Sequence, residues 1–220
     1  MRHLQRDIEN LKKKLLALSA RVETAVRDAT LSIEQRDADL ARHVIKNDQQ
    51  IDDTEVEVEE DCLKLLALHQ PVAIDLRFIV AVLKINNDLE RIADLAVNVA
   101  ERAVFLANQP PADLSFDFVF MADKAQDMLR RSLDALVNLN PHAAQQVRES
   151  DDEIDAMNRQ VYTQVEKVIN IHPEQTQTLI HLLSVSRHLE RIADHATNIA
   201  EDVIYMIEGQ IVRHKAEEYE

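Results

Sequence analysis

A single glycine in 220 residues, Gly209, is the strongest constraint on what this chain can fold into. Tight β-turns and phosphate-cradling loops depend on glycine, so no GxGxxG or GxxxxGK loop can be built anywhere in it. Doubly wound and strand-rich architectures are thereby disfavoured. Five prolines, at 71, 110, 111, 141 and 173, are spaced as punctuation between long helices rather than scattered through the chain. An apolar content of 46% is enough for a sizeable core, and with 4% aromatic residues and no Trp that core must be mostly Leu, Ile, Val and Ala.

The periodicity agrees. Leu11, Leu15, Leu18, Val22, Ala25 and Val26 recur at the three- and four-residue intervals of an amphipathic helix, and similar patterns run through most of the chain. Six helices are predicted, over 4–35, 38–69, 72–107, 114–138, 142–171 and 174–208. Asn140-Pro141 supplies an N-cap followed by proline at the first helical position. Pro71 and Pro173 sit where a missing N–H is harmless, and Gly209 suits a left-handed cap at the end of the last helix. The stretch from Asn108 to Ala112 resembles a linker.

The chain also repeats itself. Leu89-Glu-Arg-Ile-Ala-Asp94 returns as Leu189-Glu-Arg-Ile-Ala-Asp194, and Asn98, Ala100 and Glu101 return as Asn198, Ala200 and Glu201, at an offset of 100. Asp48-Gln-Gln-Ile-Asp52 matches Asp151-Asp-Glu-Ile-Asp155 at an offset of 103. The expected fold is therefore all-α, two tandem three-helix bundles of long antiparallel helices, with units over 1–109 and 110–220.

Forty acidic against 25 basic residues give a net charge of −15, and both halves are acidic. Such a surface repels phosphate backbones and argues against a nucleic-acid partner, while it favours metal cations. The lone thiol, Cys62, can form no internal disulfide, and an acidic helix offers nothing to activate it, so a packing role is expected. The longest uninterrupted apolar run, Phe78 to Leu83, is far short of a membrane span. The N-terminal segment lacks the form of a signal peptide, and a soluble, cytoplasmic protein is expected.

At about 100° per residue, Glu90, Asp94, Asn98 and Glu101 share one face of the third helix, opposite Leu89, Ile92, Ala93 and Ala96. Asp48, Asp52, Glu55 and Glu59 make a comparable stripe on the second helix. In the later copy Glu190, Asp194, Asn198 and Glu201 keep the pattern in full, and Asp151, Asp155, Asn158 and Tyr162 keep its first part. Like charges one turn apart destabilise a helix, and no base interrupts the stripe on the third helix. Two readings stay open on spacing alone. Oxygen ligands on neighbouring helices suit Mg, Mn, Fe or Zn ions, whereas acidic helix faces also serve simply as solvated surface. His181, His188 and His195 lie on a different stripe of the last helix and are expected at a core edge or interface. Arg91 and Arg191 are expected in solvent or against a partner, and Phe116, Phe118 and Phe120 to open the fourth helix.

The doubled Leu-Glu-Arg-Ile-Ala-Asp segment, together with Gln70-Pro-Val-Ala-Ile-Asp-Leu-Arg77, resembles the PhoU family of accessory and regulatory proteins of bacterial phosphate transport. The resemblance implies a homodimer of tandem helical bundles, with metal ions or iron or zinc clusters at E(D)xxxD motifs. Glu90, Asp94, Glu190 and Asp194 then take the principal ligand roles, with Asp48, Asp52, Asp151 and Asp155 as co-ligands. It further implies contacts with the transporter's ATPase subunit and a sensor histidine kinase, with no enzymatic activity and at most peripheral contact with a membrane. The second copy lacks the Val-Ala-x-Asp-Leu-Arg part of the turn, which sets its end apart. A carboxylate-bridged metalloenzyme is the rival reading. Di-iron bundles use Glu-x-x-His, and no His in this chain has Glu three residues before it. A purely structural helical scaffold is the other rival.

Overall fold

A computed structural model describes residues 2–209. Among them, seven α-helices carry almost the whole chain: α1 (Arg2–Glu34), α2 (Ala38–His69), α3 (Ala73–Leu106), α4 (Phe118–Asn138), α5 (Pro141–Glu149), α6 (Asp151–Ile171) and α7 (Thr176–Glu208). The first three form one bundle and the remainder a second, so the tandem arrangement expected from the repeat is present.

Helix boundaries follow local chemistry. The Asp37 carboxylate accepts the N–H groups of Asp39 and Leu40, both at 2.9 Å, and so caps α2. Asn140 caps α5 by accepting the Ala143 N–H at 3.1 Å, with Pro141 following. Gly209 closes α7 at φ +74°, and its N–H donates to the Tyr205 carbonyl at 2.8 Å. A short 3₁₀ turn over Pro173–Gln175 precedes α7. At the corresponding place in the first bundle, Gln70 and Ala73 both adopt left-handed φ, 44° and 51°, around Pro71-Val72.

Two sequence expectations require correction. The single helix over 142–171 is two helices, broken at Ser150. There the Ser150 N–H bonds back to Val147, only three residues earlier, and the Ser150 hydroxyl donates to the Gln146 carbonyl at 2.9 Å. Asp151, Asp152 and Glu153 then fill the first turn of α6, where the positive end of the helix dipole favours them. The fourth helix starts at Phe118 rather than at 114, because the Asp117 carboxylate caps it through the Phe120 N–H at 2.8 Å. Phe116 therefore belongs to the connection, where it meets Phe118 edge to face, while Phe120 is exposed.

The core does not stop at the bundle boundary. Leu11, Leu18, Ile85, Leu89, Leu129 and Leu189 belong to one buried apolar cluster drawn from both bundles. Helices α3 and α7 run antiparallel through its centre, as shown by contacts in descending register. Arg77 Nε donates to the Met206 carbonyl at 2.9 Å, Lys84 Nζ meets Asp202 at 2.9 Å, His195 Nδ1 meets Asp88 at 2.8 Å, and His181 stacks on Phe105 at 3.9 Å. His181 and His195 thus sit at the interface between bundles. Cys62 is fully buried, and burial pushes its thiol up to about 12, consistent with packing rather than reactivity.

Candidate functional site

Packing α2 against α3 brings the two predicted acidic stripes of the first copy together. The pKa of Asp48 rises to about 6, first because the group is half-buried and then because the like charges of Asp52, Asp94 and Glu90 act on it. Asp52 is raised by burial and by Asp94, and Glu90 by burial and by Asp94. Glu55 joins the group: its carboxyl is raised by burial and by Glu59, and it is held in place by the buried Asn86, whose Nδ2 donates to the Glu55 side chain at 2.7 Å and to its carbonyl at 2.9 Å.

The second copy repeats this between α6 and α7. Asp151 is pushed up to about 6 by burial, by Asp194 and by Asp155, with the Thr197 hydroxyl pulling the other way. Glu190 is raised by burial and by Asp194, and Asp194 by burial and by Asp155. Ser186, at the position equivalent to Asn86, donates to Asn158 Oδ1 at 2.8 Å. The eight predicted residues therefore fall into two equivalent sets, with Glu90, Asp48, Asp52, Glu190, Asp151 and Asp155 half-buried and Asp94 and Asp194 on the exposed rim.

The ends of the stripes behave differently from the sequence expectation. Glu201 is held by Arg148 of α5 at 3.3 Å with both side chains 12% exposed, and Glu101 lies 4.0 Å from Arg102. Asp155 also meets Arg159 at 3.3 Å. Bases are thus closer than helix spacing suggested. Arg91 lowers Glu90, and Arg187 and Arg191 lower Glu190 and Asp194 respectively, yet burial and like charge outweigh them. Asn86 and Ser186 escaped the sequence reading. Their signal was a polar residue at a core position of an apolar helix, as in Leu83-Lys-Ile-Asn86.

The donor chemistry, carboxylate oxygens in a half-buried setting, fits a hard or borderline cation. Among the described residues no three His, Cys, Asp or Glu side chains already stand around one point, a spread that carboxylate repulsion favours. Both clusters lower stability while ionised. A group with a raised native pKa stabilises the fold below its unfolded value of 3.8, and that contribution is lost as pH rises through about 6. The metal-free protein is therefore expected to melt at a higher temperature at pH 5 than at pH 7.5, by an amount damped by solvent screening of these part-exposed groups. Asp48→Asn with Asp151→Asn should flatten that slope; an unchanged slope in a thermal melt would count against the coupling.

Fold and site together define a class: a duplicated all-helical protein in which the second and third helical segments of each copy enclose a half-buried carboxylate cluster. The chain belongs to the PhoU family, since the PhoU domain matches it twice, over residues 15–103 and 118–203. It is 37% identical over 212 residues to the phosphate-specific transport system accessory protein PhoU homolog of Aquifex aeolicus, covering 96% of each chain. The crystal structure of PhoU from Pseudomonas aeruginosa superposes with a TM-score of 0.89 at 33% identity, over 94% of this chain and 99% of that one. That of the phosphate transport system regulatory protein PhoU from Streptococcus pneumoniae gives 0.83 at 25% identity, over 95% and 99%. Among the described residues no helix is long and apolar enough to cross a membrane.

Proposed function

We propose that this protein is a non-enzymatic accessory protein of a phosphate-specific transport system that restrains the phosphate-starvation response. In this reading it works in the cytoplasm as a homodimer, linking the ATPase subunit of the phosphate transporter to a sensor histidine kinase. The observation that carries the reading is the family match over both copies, with relatives named as accessory proteins of that transport system along nearly their whole length.

Each copy holds a metal ion or small cluster at its carboxylates in this proposal. Glu90 and Asp94 with Asp48 and Asp52 form one ligand set, and Glu190 and Asp194 with Asp151 and Asp155 the other. The bound cation supplies charge neutralisation. What the chain's own residues contribute is placement: α2 and α6 are held against α3 and α7 by buried apolar residues, and Asn86 fixes Glu55 beside the first set. Iron, zinc, magnesium and manganese all suit an oxygen-only set, with availability deciding among them.

Deleting the gene is expected to switch on phosphate-scavenging enzymes in phosphate-rich medium. Continued repression in the deletion strain would overturn the regulatory reading. Capture of the native complex at high phosphate is expected to bring down the transporter ATPase, and its absence would remove the proposed link.

A further inference from the structure

The duplication places two grooves on opposite ends of the α3–α7 pair, and their charges differ. One is lined by Leu83, Lys84, Asn87, Asp88 and Arg91 of α3 with His195 of α7. The other, about 310 Å³, is lined by Ile180, Leu183, Ser184, Arg187, His188 and Arg191 of α7. At the offset of 100, Leu83 corresponds to Leu183, Lys84 to Ser184, Asn87 to Arg187, Asp88 to His188 and Arg91 to Arg191. The grooves share five helical positions, at which the second has His188 in place of Asp88 and Arg187 in place of Asn87; the first is lined by Asn198 and Glu201 as well.

The facing helix changes in the same sense. Asp202, which answers Lys84 at 2.9 Å in the first groove, corresponds to Arg102, and Arg102 stands near enough to His188 to disfavour its protonation. His195, which bonds Asp88 in the first groove, corresponds to Leu95, so His188 lacks that partner. The first groove is internally neutralised by its own ion pairs. The second is lined by Arg187 and Arg191 with no acid among its lining residues, and Arg102 acts on its His188. Glu190 and Asp194 feel Arg187 and Arg191, but among the described residues neither arginine forms an ion pair or hydrogen bond. Glu101 lies beside Arg102 at 4.0 Å.

Ser184, Arg187, His188 and Arg191 fall at i, i+3, i+4 and i+7, a single face of α7. The Ser184 hydroxyl lies 3.1 Å from His188 Nε2, and the buried His188 Nδ1 meets no partner. Two guanidinium forks one turn apart, beside a hydroxyl, are the donor types with which tetrahedral oxyanions are bound. In a chain of net charge −15 such a cluster is a local reversal of sign, and anions are directed to it because they are repelled elsewhere. We propose that this groove on α7 binds a phosphate-type oxyanion through Arg187, Arg191 and Ser184. The site lies beside the second carboxylate cluster, whose Glu190 and Asp194 feel its arginines, but it uses none of the carboxylates and needs no metal.

Calorimetric titration of the full chain with inorganic phosphate in low salt, with and without EDTA, tests the assignment. Saturable binding that survives EDTA is expected, and Arg187→Ala with Arg191→Ala should weaken it by about tenfold or more, since hydrogen bonds to charged groups are among the stronger ones. Arg91→Ala, in the neutralised groove, should leave it unchanged. Amide shifts on phosphate addition should cluster at residues 184–191 of the isotope-labelled protein. A parallel titration with capped phosphoserine separates the sources: tighter binding than inorganic phosphate assigns the groove to a phosphoryl group borne on a partner, and weaker binding to the free ion. Absence of saturable binding to both probes, loss of binding in EDTA, or binding indifferent to the arginine substitutions would overturn the proposal. Both arginines are exposed, so circular dichroism of the variants should match the parent chain.

Discussion

Leu189→Ala is expected to lower the free energy of unfolding by about 2–5 kcal/mol, the cost of a cavity where the side chain is fully buried. The form of the transition matters as much as its midpoint. Leu189 lies in α7, which packs on α3 and shares one apolar cluster with the first bundle. Damage in the second copy should therefore be felt by the first. Chemical denaturation followed by circular dichroism should show one displaced transition with little change in slope. Two resolved transitions, with only the later one moved, would mean that the bundles unfold independently and that the contacts between α3 and α7 contribute little. Leu89→Ala, equally buried at the equivalent position, should give a matching loss.

The second large effect concerns the carboxylate clusters. A cation that binds the native fold and not the unfolded chain raises stability by about 2.7 kcal/mol at a hundredfold excess over its dissociation constant. Addition of Mn²⁺, Fe²⁺ or Zn²⁺ at pH 7.5 is accordingly expected to raise the melting temperature. The gain should shrink toward pH 5, where Asp48 and Asp151, with pKa values near 6, take up protons that compete with the metal. A variant carrying Glu90→Gln, Asp94→Asn, Glu190→Gln and Asp194→Asn should start more stable than the parent without metal, because repulsion has been removed. It should also respond to none of the three ions. If the parent fails to respond to all three, the clusters are solvated acidic faces and the proposed ligand sets fall.

Much of this architecture was legible from residue spacing because each helix carries a long apolar stripe of period 3.6, and because the repeat fixes which helices correspond. The caps at Asn140 and Gly209 were readable for the same reason, each being local chemistry. The break at Ser150 was not. Ser150-Asp-Asp-Glu153 has the form of a helix start, but the apolar period on either side of it continues, and a serine that bonds back to Gln146 interrupts the helix without altering that pattern. The eight acids were visible from spacing, as was their pairing between neighbouring helices. The fate of Glu201 was hidden, since its partner Arg148 is distant in sequence and reaches it from α5, the short helix that the break creates. The pairing of Asp88 with His195 spans 107 residues and depends on how the two bundles meet. Only the tertiary arrangement reveals that kind of contact.

A duplicated chain with two equal ends would offer any partner two docking poses related by a half-turn. Here the poses are unequal. One end turns through Gln70 and Ala73, both held in a left-handed backbone that costs non-glycine residues about 1 kcal/mol or more each, with Leu68 and Val72 facing solvent. The matching end of the other copy makes its turn through the 3₁₀ segment Pro173–Gln175. The molecule consequently has a front and a back, and a partner that recognises one turn is seated in a single direction along the helices.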